Sequence, residues 1–220
     1  MAYKLINARP SPFGRKVEIS MREKSIEYEV QYDVPWGENT CTPQYSPLEQ
    51  LPILITEKGE NVYDSGHIIN WLETYHPSPA LLPEDRDARI AVQTRRLLGE
   101  RLMEIAQSLM FELFRPQPST AWVDRQTRKV RGGLDELEKL YGEYTVQTEI
   151  GVDLGDLAVG TTLLGLEFGL ESGLAPEAPV LHWRESYPTL DEAVSRLELR
   201  PSFVATKPQM MDVNLGATVS

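Results

Sequence analysis

Three short stretches of this chain hold residues whose types and spacing suit chemistry. Near the start, Ser11 stands between Pro10 and Pro12, just ahead of Phe13-Gly14-Arg15-Lys16-Val17. A hydroxyl at the mouth of a helix caps it or donates a hydrogen bond to an anion, which the helix dipole also favours. Further on, Leu51-Pro52 leads into an apolar run, and Asp64-Ser65 leads into an amphipathic one. Asp-Ser is by itself an ordinary capping signature, and Ser11 before a proline is by itself an ordinary turn. No His or Asp lies beside Ser11 in sequence to activate it, so Ser11 does not read as a nucleophile. The single cysteine, Cys41, falls well after the first helix and excludes a disulfide framework, an internal Cys-x-x-Cys pair and a structural zinc site. His67, His76 and His182 are scattered singly, so no metal site is expected.

Those stretches must be positioned by the elements around them. Tyr3 to Ala8 reads as a strand, Phe13 to Lys24 as a helix, and Ile26 to Tyr32 alternates as a half-buried strand. A turn-rich segment runs from Val34 to Glu49. Pro52 to Thr56 and Asn61 to Tyr63 form a hairpin around Lys58-Gly59-Glu60, and Ser65 is expected to cap a helix carrying Ile68, Ile69 and Leu72. The order is β-α-β-loop-β-β-α. Pro77-Ser78-Pro79 and Pro83 mark a linker, and helical periodicity takes over beyond it. Ile90, Leu97, Leu98, Leu102, Ile105, Leu109 and Leu113 predict one long helix; Val130, Leu134, Leu137, Tyr141 and Tyr144 predict a second. A third begins at the cap Asp153, with Asp156 placed to bond back, and a fourth opens at Pro188. Lys207 to Ser220 lacks periodicity and reads as a tail. The expected units are residues 1–77, a linker over 78–87, a helical domain over 88–205, and the tail over 206–220.

Composition restricts the partners. The 220 residues carry 33 acidic and 22 basic side chains, for a net charge of -11. That balance disfavours nucleic acid, and no Lys/Arg cluster offsets it. No apolar stretch approaches the ~18 residues needed to span a bilayer, and no basic-then-apolar leader opens the chain. A cytoplasmic protein with no membrane partner is expected.

The set of local motifs resembles the cytosolic glutathione transferases. Ser11-Pro12-Phe13 is similar to the Ser-Pro-Phe motif of the serine-type members, tau-class and bacterial relatives included. Leu51-Pro52-Ile53-Leu54 resembles the family's x-Pro-x-Leu turn, in which the proline is cis. Tyr63-Asp64-Ser65 resembles the acidic-Ser step into a helix, and Tyr187-Pro188-Thr189-Leu190 with Arg200-Pro201-Ser202-Phe203 resembles the closing region. The resemblance spans residues 3 to about 205 and implies an α/β thioredoxin-like N-terminal domain followed by an all-α C-terminal domain. Three positions depart from the common pattern. Gln50 stands where many members have Lys, Asp64 is shorter than the more frequent Glu, and Asp153-Leu154-Gly155-Asp156 is a capping variant.

The resemblance also implies a site. Glutathione would be the co-substrate, with Ser11 stabilising its thiolate for attack on a small hydrophobic electrophile. Lowering a thiol pKa from about 8.5 to about 6.5 takes roughly 2.7 kcal/mol. One hydrogen bond to a charged group supplies about 1.5–3 kcal/mol. Ser65 would meet the γ-glutamyl carboxylate, Asp64 the ammonium, and the Leu51-Pro52 backbone the cysteinyl amide. Phe13, Gln50 and Arg15 are further candidates near the tripeptide, and Trp36, Met103, Met110 and Phe114 candidates for the apolar pocket. A homodimer is implied, with the Asn61–Tyr75 region against the long helices of a second copy. Peroxide reduction or reductive cleavage at the same site, a non-catalytic scaffold, and a glutathione carrier are the alternative readings.

Overall fold

The computed structural model describes residues 2–143 and 148–211. Four strands, β1 (Tyr3–Asn7), β2 (Tyr28–Tyr32), β3 (Ile53–Ile55) and β4 (Asn61–Val62), form one sheet in the order β2-β1-β3-β4. β1 and β2 run parallel, joined by helix α1 (Pro12–Glu23), whereas β3 is antiparallel to both β1 and β4. A parallel pair needs such a crossover, and the Lys58-Gly59 turn, with Gly59 at φ 80, closes the antiparallel hairpin. Helix α2 (Ser65–Tyr75) completes a thioredoxin-like unit, and its buried Ile68, Ile69 and Leu72 join the core with Leu5, Val17 and Leu54.

Helices α3 (Arg86–Leu113), α4 (Thr120–Gly142), α5 (Leu154–Glu171), α6 (Pro188–Glu198) and α7 (Pro201–Ala205) follow. α5 is buried without a break from Leu154 to Leu164, as a helix enclosed by others must be. It packs against α1, α3 and α6, and so joins the two halves of the chain. Its first turn carries a reciprocal cap: Asp153 accepts from Asp156 N–H at 3.0 Å, and Asp156 accepts from Asp153 N–H at 3.2 Å. Arg95 of α3 donates to both carboxylates, at 2.7 and 2.9 Å, and the Tyr141 hydroxyl of α4 donates to Asp156 at 3.0 Å. Three helices thus meet at one buried ionic knot.

Several details differ from the sequence-based expectations. Asp64, not Ser65, is the cap of α2; its Oδ1 accepts from His67 N–H at 3.1 Å, and Ser65 is the first helical residue. Both carry a side-chain oxygen, but only Asp64 has the extended backbone a cap requires. Ile90 and Leu97 keep the helical rhythm yet stay 67% and 54% exposed, because the core face of α3 runs through Val92, Leu102 and Leu109. The strand expected from Ile26 begins at Tyr28, since Ile26 is still held by the end of α1, its N–H bonded to Met21 O at 2.9 Å. Tyr144 and the tail from residue 212 lie outside the described residues.

Candidate functional site

The first strand and helix meet so tightly that only glycine fits between them. A Cβ on Gly14 would lie 1.6 Å from Asn7 Oδ1. Asn7 itself is buried and donates to Glu18 Oε1 at 2.7 Å. This close seat sets where the turn before α1 can run. Ser11 N–H bonds Ala8 O at 3.0 Å, and Ser11 Oγ accepts from Gly14 N–H at 3.2 Å. Ser11 is therefore the cap of α1, followed by Pro12, whose missing N–H costs nothing in a first turn. The cap uses the hydroxyl oxygen as acceptor. Among the described residues its proton is donated to no acceptor, and Ser11 lines a cleft.

That cleft has a volume of about 540 Å³, within the range of small-molecule sites. Ser11, Phe13, Gln50, Leu51, Asp64 and Ser65 line one side. Pro52 does not line it; it is buried behind Leu51, to which it is joined by a cis peptide bond. The Leu51 N–H and C=O take part in no hydrogen bond among the described residues. Ser65 and Gly66, at the start of α2, likewise keep first-turn N–H groups without an intrahelical partner. Met103 and Met110 of α3, Phe114 at its C-cap, Phe168 of α5, and Trp36 supply the cleft's apolar lining.

Behind α2 lies a support that sequence reasoning missed. Arg96 of α3 donates to Gly66 O at 3.0 Å and to Asn70 Oδ1 at 2.9 Å, clamping the first turn of α2. Glu100 receives Arg96 Nε at 3.1 Å and pairs with the buried Lys16 of α1. Burial pushes the Glu100 carboxyl up, but Lys16 and Arg96 together hold it below its usual range. This triad ties α1, α2 and α3 together at the first turn of α2, next to Ser65. Only the presence of charge on otherwise buried helix faces hinted at it.

Other sequence candidates point elsewhere. Arg15 does not line the cleft; its Nη2 donates to Phe203 O at 3.2 Å, and burial lowers its pKa to about 10 against the opposing charges of Glu198 and Glu18. Cys41 also lies outside, donating to Asp33 Oδ2 at 3.1 Å and accepting from Gln31 at 3.2 Å. Burial and the Asp33 carboxylate push its thiol up, the wrong direction for a nucleophile. His76 bonds Tyr3 Oη at 3.0 Å and His182 bonds Glu177 at 2.6 Å. Among the described residues, no group of three or more His, Cys, Asp or Glu is gathered as a metal ion would need. No helix among them is long and apolar enough to cross a membrane.

Comparisons with known proteins match the chain along nearly its whole length. The family profile described as glutathione S-transferase, N-terminal domain, matches residues 5–80. The uncharacterized GST-like protein YibF of Escherichia coli (strain K12) is 31% identical over 207 residues, 93% of this chain and 98% of that protein. A solved glutathione S-transferase from Methylobacterium radiotolerans, in complex with glutathione sulfonate, is 36% identical with a TM-score of 0.87, covering 97% of this chain and 98% of that one. Another from Methylobacillus flagellatus, with glutathione bound, is 28% identical with a TM-score of 0.84, covering 94% of this chain and 100% of that one.

Proposed function

This chain belongs to the glutathione S-transferase family, and from that premise we propose that it is a transferase that binds glutathione in the cleft and joins its sulfur to a hydrophobic electrophile. The observation that carries the reading is Ser11. Its oxygen already accepts the Gly14 N–H, so its one proton is left to donate to whatever anion lies in the cleft. A hydroxyl that accepts a bond is a more polarised donor. The thiol proton of glutathione leaves to solvent, the Ser11 O–H donates to the resulting thiolate, and sulfur bonds to the electrophilic carbon held against the apolar wall as its leaving group departs with the bonding pair. Most of the acceleration comes from thiolate formation and from holding the two reactants together.

The remaining assignments follow from what the tripeptide offers. The γ-glutamyl carboxylate suits the Ser65 hydroxyl and the free N–H groups opening α2, an anion-binding arrangement. The ammonium suits Asp64, and the cysteinyl amide suits the unbonded Leu51 backbone beside Pro52. Phe13 packs along the tripeptide, and Gln50 donates to the glycine carboxylate as a neutral group. We further propose a cytoplasmic homodimer; the exposure of Tyr75 at 62%, with Ile90 and Leu97 on α3, supports contact through the α2 and α3 side.

Calorimetric titration with glutathione, followed by comparison of nitroaryl halide conjugation with hydroperoxide turnover, tests the reading. Micromolar-to-millimolar binding and conjugation are expected. Absence of any glutathione binding would refute it, and peroxide turnover without conjugation would reassign the chemistry.

A further inference from the structure

Resting on the reading that glutathione's sulfur attacks a second molecule in this cleft, we infer that the cleft selects that molecule by charge, disfavouring anionic electrophiles and preferring cationic ones. The apolar wall gives an aromatic probe a surface to rest on. Phe111 of α3, Phe114 at its C-cap, Phe168 of α5 and Trp36 line the cleft, as do Met103 and Met110. Ring edges and faces favour another ring, and thioethers adapt to its outline.

The charged groups set the preference. Among the described residues, Asp33, Glu49, Asp64 and Glu104 line the cleft, whereas no Lys, Arg or His does. Asp64 is assigned to the ammonium of glutathione, which leaves three carboxylates unassigned. Asp33 is held beside the end of β1 by its N–H bond to Asn7 O at 2.8 Å, at the same end of the sheet as Ser11. Its carboxylate accepts from Thr40 Oγ1 at 2.9 Å, Cys41 N–H at 2.8 Å, Val34 N–H at 2.8 Å and the Cys41 thiol. Burial pushes this carboxyl up, but those four donors outweigh it and hold it below its usual range. Asp33 forms no ion pair among the described residues. Glu104 faces the cleft from α3 and shares its charge with the exposed Arg101 at 2.6 Å. Arg9, beside the lining residue Pro10, is committed to the Tyr32 ring at 4.1 Å and to Gln209. Bound glutathione, with two carboxylates, one ammonium and a thiolate, adds further negative charge. An anionic electrophile is therefore repelled by the walls, and a cationic one is attracted.

The test uses three chloro-nitrobenzenes of like shape whose third substituent is a carboxylate, a carboxamide or a trimethylammonium group. In each, sulfur bonds to the ring carbon that carries chlorine, and chloride leaves with the bonding pair. Each kcat/KM is divided by the rate with free glutathione at the same pH, which removes intrinsic reactivity and thiolate–substrate repulsion. The cationic compound is expected to exceed the anionic one by about tenfold or more at low salt, with the gap shrinking at high salt. Asp33→Asn with Glu104→Gln is expected to narrow it; Glu104→Gln alone, at the exposed edge of the cleft, gives a smaller narrowing without touching the Asp33 loop. Turnover of the neutral compound with equal or better turnover of the anionic one overturns this inference and leaves the transferase reading standing. A gap unchanged in both variants overturns the assignment to these carboxylates. Turnover of none of the three refutes the transferase reading itself.

Discussion

Replacing Ser11 by alanine removes two interactions that report on different quantities. The first is the O–H donated to a glutathione thiolate. A hydrogen bond to a charged acceptor contributes about 1.5–3 kcal/mol, and 1.36 kcal/mol moves a pKa by one, so the bound thiol should titrate about one to two pH units higher in the variant. With the wild-type thiol half ionised near pH 6.5, less thiolate means kcat/KM there about 5- to 50-fold lower. The deficit should close as pH rises past the new pKa, where both proteins hold the anion. The second interaction is the cap, in which Ser11 Oγ accepts from Gly14 N–H at 3.2 Å. Its loss costs about 0.5–2 kcal/mol of stability, a drop in Tm of roughly 2–4 °C per kcal/mol for a chain of this size. Thiolate absorbance against pH, calorimetric affinity and thermal melting separate the two. Ser11→Thr keeps a hydroxyl and should retain most of both. A variant that binds glutathione, melts lower and yet shows an unmoved thiol pKa would mean that Ser11 is a helix cap and nothing more.

Two further outcomes are expected. A Cβ at Gly99 would lie 2.8 Å from the backbone of Ala158 and Val159, so Gly99→Ala should force α3 away from α5 and cost about 1–3 kcal/mol in urea denaturation; wild-type stability would contradict the close crossing. Glu23 receives Arg200 at 2.8 and 2.9 Å and also the Ser202 hydroxyl; burial raises its pKa, but these donors outweigh that and hold it below the usual 4.5. Its contribution is present above that value and is lost as pH falls through the lower folded one. Glu23→Gln should lower stability by about 1–3 kcal/mol at pH 7 and flatten the stability profile between about pH 5 and 3; an equally steep acid limb in the variant would place that dependence elsewhere.

Much of this protein could be read without coordinates, because much of it is local. Alternation in Tyr28–Tyr32, the Lys58-Gly59 turn, and the i, i+3, i+4 rhythm of α3 to α6 are properties of neighbouring residues. So is the Asp153/Asp156 cap, whose partners are three positions apart. Ser11 ahead of Pro12 likewise announces a helix start by its own chemistry. What the residues meet across the chain was not legible. Helical periodicity cannot tell that Ile90 and Leu97 face outward, since the core face depends on where α4 and α5 lie. Arg15, close to Ser11 in sequence, turns to Phe203 because a helix sends residues four apart along its axis and α7 packs there. Lys16, Glu100 and Arg96 form their support only when three helices converge. The ring of Asp33, Glu49, Asp64 and Glu104 exists only once loops and helices from both halves enclose one cleft. Backbone conformation follows from short-range sterics and hydrogen bonding, whereas the sign of a pocket's field is a sum over residues that only tertiary packing brings within reach of one another.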